Sequence, residues 1–236
     1  MTEYLAKNAF YADRIKTVIK TKYEPVAIRL IREGEDFPGG YVKPEKQMSH
    51  CQAVMRARKG ERITLKAEDS SCRVGASALG MSETPDGVAD GTFHYNLGAY
   101  ASPEAAAETI SQRLIPKEKI IGEILVPLKD ADFEPDVVAI VDIPERIYWV
   151  VPLSTVDKGG RVEFSTSAFQ CACEDITVIP MITQRLNISL GCYGSRRRTD
   201  MGPEEMALGI PYGMIEGFMP HLEKYESGIM TKAKRD

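Results

Sequence analysis

The spacing of apolar residues changes from helical near the start of the chain to strand-like in its middle. Between residues 8 and 21 the apolar positions, among them Ile15, Val18 and Ile19, fall along one face of a helix. Branched or alternating apolar runs predict strands at residues 25–31, 63–67, 120–126, 137–141, 162–166 and 187–190. Further helices are predicted at residues 44–58, 76–79, 103–114, 144–151 and 214–225. This order predicts the α/β or α+β class, with a single mixed-sheet domain flanked by helices.

Three segments have no clear period. Residues 82–100 are interrupted by glycine and proline and predict a long functional loop or lid. Residues 176–182 fit either a helix or a strand, because Pro180 weakens both interpretations. Residues 209–213 contain two glycines and a proline, which predict a turn-rich connection.

Composition narrows the class of protein. The 236 residues are 43% apolar and 27% charged, as in ordinary globular proteins, and one domain over residues 1–236 is expected. A net charge of −4 gives no reason to expect a nucleic-acid partner. No apolar stretch approaches the roughly 18 residues that cross a bilayer, and the N-terminus lacks the apolar segment of a signal peptide. We therefore expect a cytoplasmic protein with reduced thiols and no membrane partner.

The cysteines form a repeated pattern. They are Cys51, Cys72, Cys171, Cys173 and Cys192. Cys72 lies 21 residues after Cys51, Cys192 lies 21 residues after Cys171, and a glycine follows the second cysteine of each pair closely. The odd number argues against a closed disulfide framework. The repeat also leaves open a pseudo-duplicated arrangement with halves at residues 1–115 and 116–236.

Thiolates in this number suit either tetrahedral zinc or an iron–sulfur cluster. A single residue separates Cys171 from Cys173, which is too short for the usual zinc knuckle, so zinc is the lesser alternative. Ligands spread widely along the chain favour a cluster such as [4Fe–4S]. The expected metal ligands are Cys51, Cys72, Cys171 and Cys192, with Cys173 as the alternative fourth ligand and part of the cofactor-binding set. Two other interpretations remain, namely buried cysteines that act as small apolar residues and a reactive thiol.

A glycine turn followed by three arginines predicts an anion site at residues 191–198. We assign substrate binding to Gly194, Arg196 and Arg197, together with His94 from the predicted lid. The same arginines favour a thiolate at Cys192, which would suit a thiol enzyme. His50 points away from Cys51 on a helix and is expected at the surface or beside a ligand. The sequence contains no G-x-S-x-G, P-loop or H-E-x-x-H motif.

Five short segments in this order resemble the domain of unknown function 169 family, an uncharacterised family of archaea and anaerobic bacteria. The segments are HCQAVMRARKG (50–60), CRVGA (72–76) with LG (79–80), FQCAC (169–173), GCYGSR (191–196), and EE (204–205) with LGIP (208–211). The resemblance covers about residues 20–225 and implies a single domain without supplying an activity. It maps the recurrent cysteines of the family onto Cys51, Cys72, Cys192 and either Cys171 or Cys173. An anaerobic metabolism would tolerate an oxygen-sensitive cluster.

The sequence therefore predicts a metallocofactor-binding protein that carries an iron–sulfur cluster for electron transfer or for a reductive step on a small anionic substrate. The expected partner is a redox protein or a small anionic molecule, and a homo-oligomer is an open alternative. A non-catalytic binding protein for a small anion or cofactor, and a thiol enzyme that uses Cys192, are the alternative functions.

Overall fold

The computed structural model describes residues 3–167 and 169–233. Their centre is one six-stranded sheet with the strand order β2-β3-β1-β4-β6-β5, in which every neighbouring pair is antiparallel. The strands are β1 (Val26–Arg32), β2 (Ile63–Lys66), β3 (Ile120–Pro127), β4 (Val137–Asp142), β5 (Asn187–Ser189) and β6 (Met206–Pro211). The long central strands are almost entirely buried, which is why their sequences are continuous apolar runs.

Helices cover both faces of the sheet. They are α1 (Glu3–Ile19), α2 (His50–Ala57), α3 (Arg73–Ala78), α4 (Asp86–Ala89), α5 (Thr92–Asn96), α6 (Pro103–Ser111), α7 (Pro144–Val150), α8 (Ile179–Thr183), α9 (Tyr193–Arg198), α10 (Tyr212–Ser227) and α11 (Ile229–Ala233). A π-helix (Glu174–Val178) leads directly into α8. The structure thus confirms a mixed class of helices packed on a sheet. None of the described helices is long and apolar enough to cross a membrane.

The two faces of the sheet form separate apolar cores. On one face, alternate residues of the strands pack against α1, α7 and α10. On the other face, the remaining strand residues pack against α2 and the π-helix. A smaller cluster beside this second core contains Cys173 and Leu79, with Cys51 packed against it. The cysteines therefore belong to the face that is covered by α2 and the π-helix.

Strands from both parts of the chain are interleaved in the sheet. β1 lies between β3 and β4, with Ile28 opposite Leu125 on one side and Val137 on the other. β2 pairs with the outer edge of β3. The centre of the sheet is consequently built from residues about 100 positions apart in the sequence.

Side-chain hydrogen bonds explain why two predicted segments differ from the structure. The helix predicted at residues 44–58 begins only at His50, because Ser49 and Gln52 form a reciprocal capping box. The strand predicted at residues 162–166 is absent. Its Ser165 instead exchanges main-chain hydrogen bonds of 2.8 and 2.7 Å with the side-chain amide of Asn187, so a side chain replaces a partner strand.

Three further segments also differ from the sequence prediction. The predicted turn at residues 209–213 is wrong, because the first three of these residues complete β6 and the rest begin α10. Residues 82–100 are not a plain loop, since they contain α4 and α5. Residues 176–182 adopt the helical alternative, and Pro180 is tolerated because it lies in the first turn of α8.

Candidate functional site

All five cysteines meet beside the second core. Cys51 lies in the first turn of α2, and Cys72 and Cys192 are the residues that cap the N-termini of α3 and α9. Cys171 and Cys173 lie just before the π-helix and are buried, whereas the other three are partly exposed. Four separate segments of the chain thus bring their thiols to one place.

Neighbouring thiols interact in pairs. Cys171 interacts with Cys173, Cys173 with Cys51, and Cys51 with Cys192. Cys72 is close enough to interact electrostatically with Cys171 and Cys192. A negative charge in this group is best stabilised on Cys192, because its pKa is lowered while the pKa values of the other four thiols are raised.

Main-chain N–H groups add to the stabilisation at that end. The hydrogen bond from Cys51 lowers the pKa of Cys192 to about 5, and the N–H groups of Ala172 and Ser195 also lower it. The Ser195 nitrogen lies 3.4 Å from the Cys192 sulfur. The pKa shift outweighs the opposing effect of burial, so Cys192 is a thiolate at neutral pH.

The other thiols remain protonated. The donated hydrogen bond and burial raise the pKa of Cys171 well above its ordinary value. For Cys173 and Cys51, an accepted bond lowers the pKa, but the bond each donates and its burial raise it well above that value. Burial raises the pKa of Cys72, although the Gly75 N–H, 3.3 Å from its sulfur, opposes the increase.

Helix α3 approaches the thiols closely because it contains Gly75. A Cβ atom at this position would lie 3.0 Å from the Cys173 sulfur and 3.4 Å from the Cys72 sulfur. Glycine therefore allows the backbone of α3 to sit directly against both thiols.

The π-helix is held in place by an equally close contact with the sheet. A Cβ atom on Gly209 in β6 would overlap the carbonyl oxygen of Ile176. Immediately before the π-helix, Cys171 has a φ of 59°, which is unusual for a residue other than glycine. A strained residue of this kind is a feature of functional sites. It turns the chain so that Cys171 and Cys173 both reach the cluster of thiols.

No group of three or more His, Cys, Asp or Glu side chains within the described residues is arranged to hold a metal ion. In the described conformation the thiols instead interact with one another.

Beside Cys51 lies a buried acid–base pair. His50 Nδ1 is 2.6 Å from Glu123 Oε2, both side chains are about 1% exposed, and His50 Nε2 is 3.2 Å from the Thr177 hydroxyl. Of the two positions predicted for His50, at the surface or beside a ligand, the structure contradicts the first, because His50 is buried against Glu123 of the sheet. A signal for this pair exists in the sequence, since Glu123 is the lone acid in an apolar strand.

Two buried side chains next to the thiols have polar atoms without partners. His94 Nδ1 and both amide atoms of Gln170 make no hydrogen bond with any residue that the structure describes. Burial lowers the pKa of His94, as does Arg113, while Cys192 acts in the opposite direction. Buried polar atoms are normally satisfied, so these atoms are suited to a further group at this place. His94 is not in an open lid, because α5 buries it.

An aromatic wall connects the two unpartnered side chains. The rings of His94 and Tyr100 are 6.4 Å apart, and Tyr100 is again 6.4 Å from Phe169, which precedes Gln170. Phe169 stacks on Tyr193 at 5.7 Å, next to Cys192. The wall therefore runs from α5 to the start of α9.

The predicted anion-binding residues have distinct surroundings. Arg196 donates to the carbonyl oxygens of Leu190, Gly202 and Glu205, so its guanidinium holds the main chain together. Arg197 donates to the hydroxyl of Tyr193 at 2.7 Å. Gly194 lies near Cys192, whose sulfur would be 3.8 Å from an added Cβ atom. Within the described residues, none of these three residues contacts His94 directly.

Comparison with known proteins agrees with the family resemblance. The model of a family described as "Uncharacterised ArCR" (DUF169) matches residues 14–220. The uncharacterised protein MJ0308 of Methanocaldococcus jannaschii is 28% identical over 204 residues, which cover 85% of this chain and 87% of that protein. No solved structure matches the chain. Residues 14–220 include every cysteine and every strand of the sheet, and this chain belongs to the domain of unknown function 169 family.

Proposed function

We propose that this protein is a cytoplasmic carrier of a cysteine-ligated iron–sulfur cluster, which serves electron transfer or a reductive step on a small anionic substrate. The observation that supports the proposal is the meeting of five thiols from four separate segments. A bound cluster would supply one-electron transfer, and its partner would be a redox protein. Zinc on the same thiols is the lesser alternative.

The contacts favour Cys51, Cys72, Cys173 and Cys192 as ligands. Cys173 is bonded to Cys51 and interacts with Cys72, and its sulfur shares the Gly75 contact with Cys72. Cys171 also interacts with Cys173 and Cys72, but its sulfur lies 3.9 Å from the Val74 carbonyl oxygen. This assignment replaces Cys171 by Cys173 in the predicted ligand set.

Further support comes from the N–H groups that point at the sulfurs of Cys72 and Cys192. Such hydrogen bonds tune the reduction potential of a cluster. The unpartnered amide of Gln170 provides an additional donor next to the ligands. Loading a cluster requires the thiols to exchange their mutual hydrogen bonds for bonds to iron, which releases their protons.

Analysis of anaerobically purified protein tests the proposal. We expect iron and acid-labile sulfide in about equal amounts, with a broad charge-transfer absorption. Cys192→Ser should lower the iron content to background while the thermal unfolding of the protein remains cooperative. Zinc without iron, or unchanged iron in the folded Cys192→Ser variant, would contradict the proposal.

A second candidate function rests on the thiolate of Cys192. Because the pKa of Cys192 is lowered to about 5, iodoacetamide should label it at pH 6 almost as fast as at pH 8. Labelling of each cysteine can be followed by mass spectrometry of proteolytic peptides. Cys72 is the matched control, because its pKa is raised and its labelling should increase steeply with pH. Slow labelling of Cys192 would remove the thiol-enzyme alternative.

A further inference from the structure

A cavity of about 730 Å³ lies on the outer side of α2. Its walls are the segment at residues 42–48, one side of α2, and the end of α9 with residues 199–200. The volume is in the range of sites for small organic molecules. Met48 and Met55 give the cavity an apolar floor, and both are buried.

The cavity adjoins the thiols. Met48 in the cavity wall forms main-chain hydrogen bonds with Asp69 and Ser71, which lie three residues and one residue before Cys72. Gln52 follows Cys51 and donates to the carbonyl oxygen of Arg198 across the cavity wall. Arg198 is also near enough to Cys72 to lower its pKa. A molecule in the cavity would thus contact residues that adjoin the segments of Cys51 and Cys72, although neither cysteine lines the cavity itself.

Positive charge predominates in the lining. Four basic and two acidic side chains line the cavity, in a chain whose net charge is −4. Three of the six form ion pairs: Lys43 with Asp69, Arg56 with Glu61 and Asp200 with Lys59. The other three charged lining residues are Lys46, Arg198 and Glu45. Their side chains form no ion pair or hydrogen bond with the described residues.

We propose that this cavity binds a small organic anion, with its carboxylate or phosphate group on Lys46 and Arg198 and its apolar part on Met48 and Met55. The paired cations keep the site from being strongly positive, so a compact anionic group with an apolar body fits better than a polyanion. That the bound molecule is the substrate of the reductive step rests on the proposed function. The binding itself does not depend on the cluster.

Titration of the full-length protein with phenyl phosphate tests the proposal by isothermal calorimetry. We expect saturable binding that is tighter than that of inorganic phosphate, because only phenyl phosphate contacts the apolar floor. Phenylacetate distinguishes a carboxylate site from a phosphate site. Arg198→Glu and Lys46→Glu should each weaken binding by about tenfold or more, because each reverses a charge that contacts the anion.

Lys117→Glu is the matched control, because it makes the same charge change as Lys46→Glu at an exposed lysine that does not line the cavity. It should weaken binding by less than about threefold, the change expected from long-range charge alone. No saturable binding, or an equal loss in the Lys117 and Lys46 variants, would overturn the inference. If the protein purifies without iron but binds phenyl phosphate, the cavity site is supported and only the proposed cluster is contradicted. If the protein carries iron but does not bind phenyl phosphate, only the cavity site is contradicted.

Discussion

Cys173→Ala is expected to abolish iron binding, whereas Cys171→Ala should retain it. The two thiols are two residues apart and both are buried, so the substitutions remove equal side chains from similar surroundings. They differ in position, because Cys173 interacts with Cys51 and lies against Gly75 with Cys72, while the Cys171 sulfur lies against the Val74 carbonyl oxygen. Iron per chain after anaerobic reconstitution measures the difference.

Unfolding curves of both variants keep this result interpretable. If Cys173→Ala loses iron and its unfolding midpoint is similar to that of Cys171→Ala, the loss is due to a missing ligand. The reverse pattern, with iron lost only from Cys171→Ala, would restore the ligand set predicted from the sequence. Iron retained by both variants would contradict ligation by either thiol.

Gly209→Ala should destabilise the protein by about 3 kcal/mol or more, since its Cβ atom would overlap the carbonyl of Ile176. The backbone of β6 or of the π-helix has to move to relieve this overlap. Because Cys173 immediately precedes the π-helix, the same displacement should lower the iron content. Urea unfolding monitored by far-UV circular dichroism measures the change in the free energy of unfolding.

Gly217→Ala provides the control. Gly217 is exposed in the middle of α10, and an added Cβ atom there meets no other atom within 4 Å. The substitution should stabilise the helix by about 0.5–1 kcal/mol. Equal stability of the Gly209 and Gly217 variants would show that β6 and the π-helix are not in the described close contact.

The sequence was a good guide to the central strands because burial on both faces requires unbroken apolar runs, as in β3 and β4. It was a poor guide to β6, where Gly209 and Pro211 suggest a turn. The glycine is there because the π-helix approaches the strand, a tertiary requirement that no local pattern contains. Residues 162–166 alternate like a strand without forming one, because the Asn187 side chain takes the place of a partner strand.

The cysteines could be recognised as a set, but their geometry could not. Spacing along the chain does not reveal that Cys173 bonds to Cys51 or that Gly75 touches two sulfurs. The contact of His50 with Glu123 was missed because only the angle between His50 and Cys51 on a helix was considered, and that angle does not show what faces the histidine. The helix itself was expected to begin six residues too early. The capping residues Ser49 and Gln52 were a usable signal for the true start.

The interleaving of strands has a consequence for synthesis of the protein. While the ribosome is still making residues 52–119, neither of the strands that pair with β1 has been made. Of the cysteines that surround Cys51, only Cys72 is made in this interval. The thiols come together only after residue 192 has emerged and the sheet has closed through β6. A cofactor that needs all of these thiols can therefore be inserted only after residue 192 has been translated, and the earlier thiols depend on a reducing environment until then.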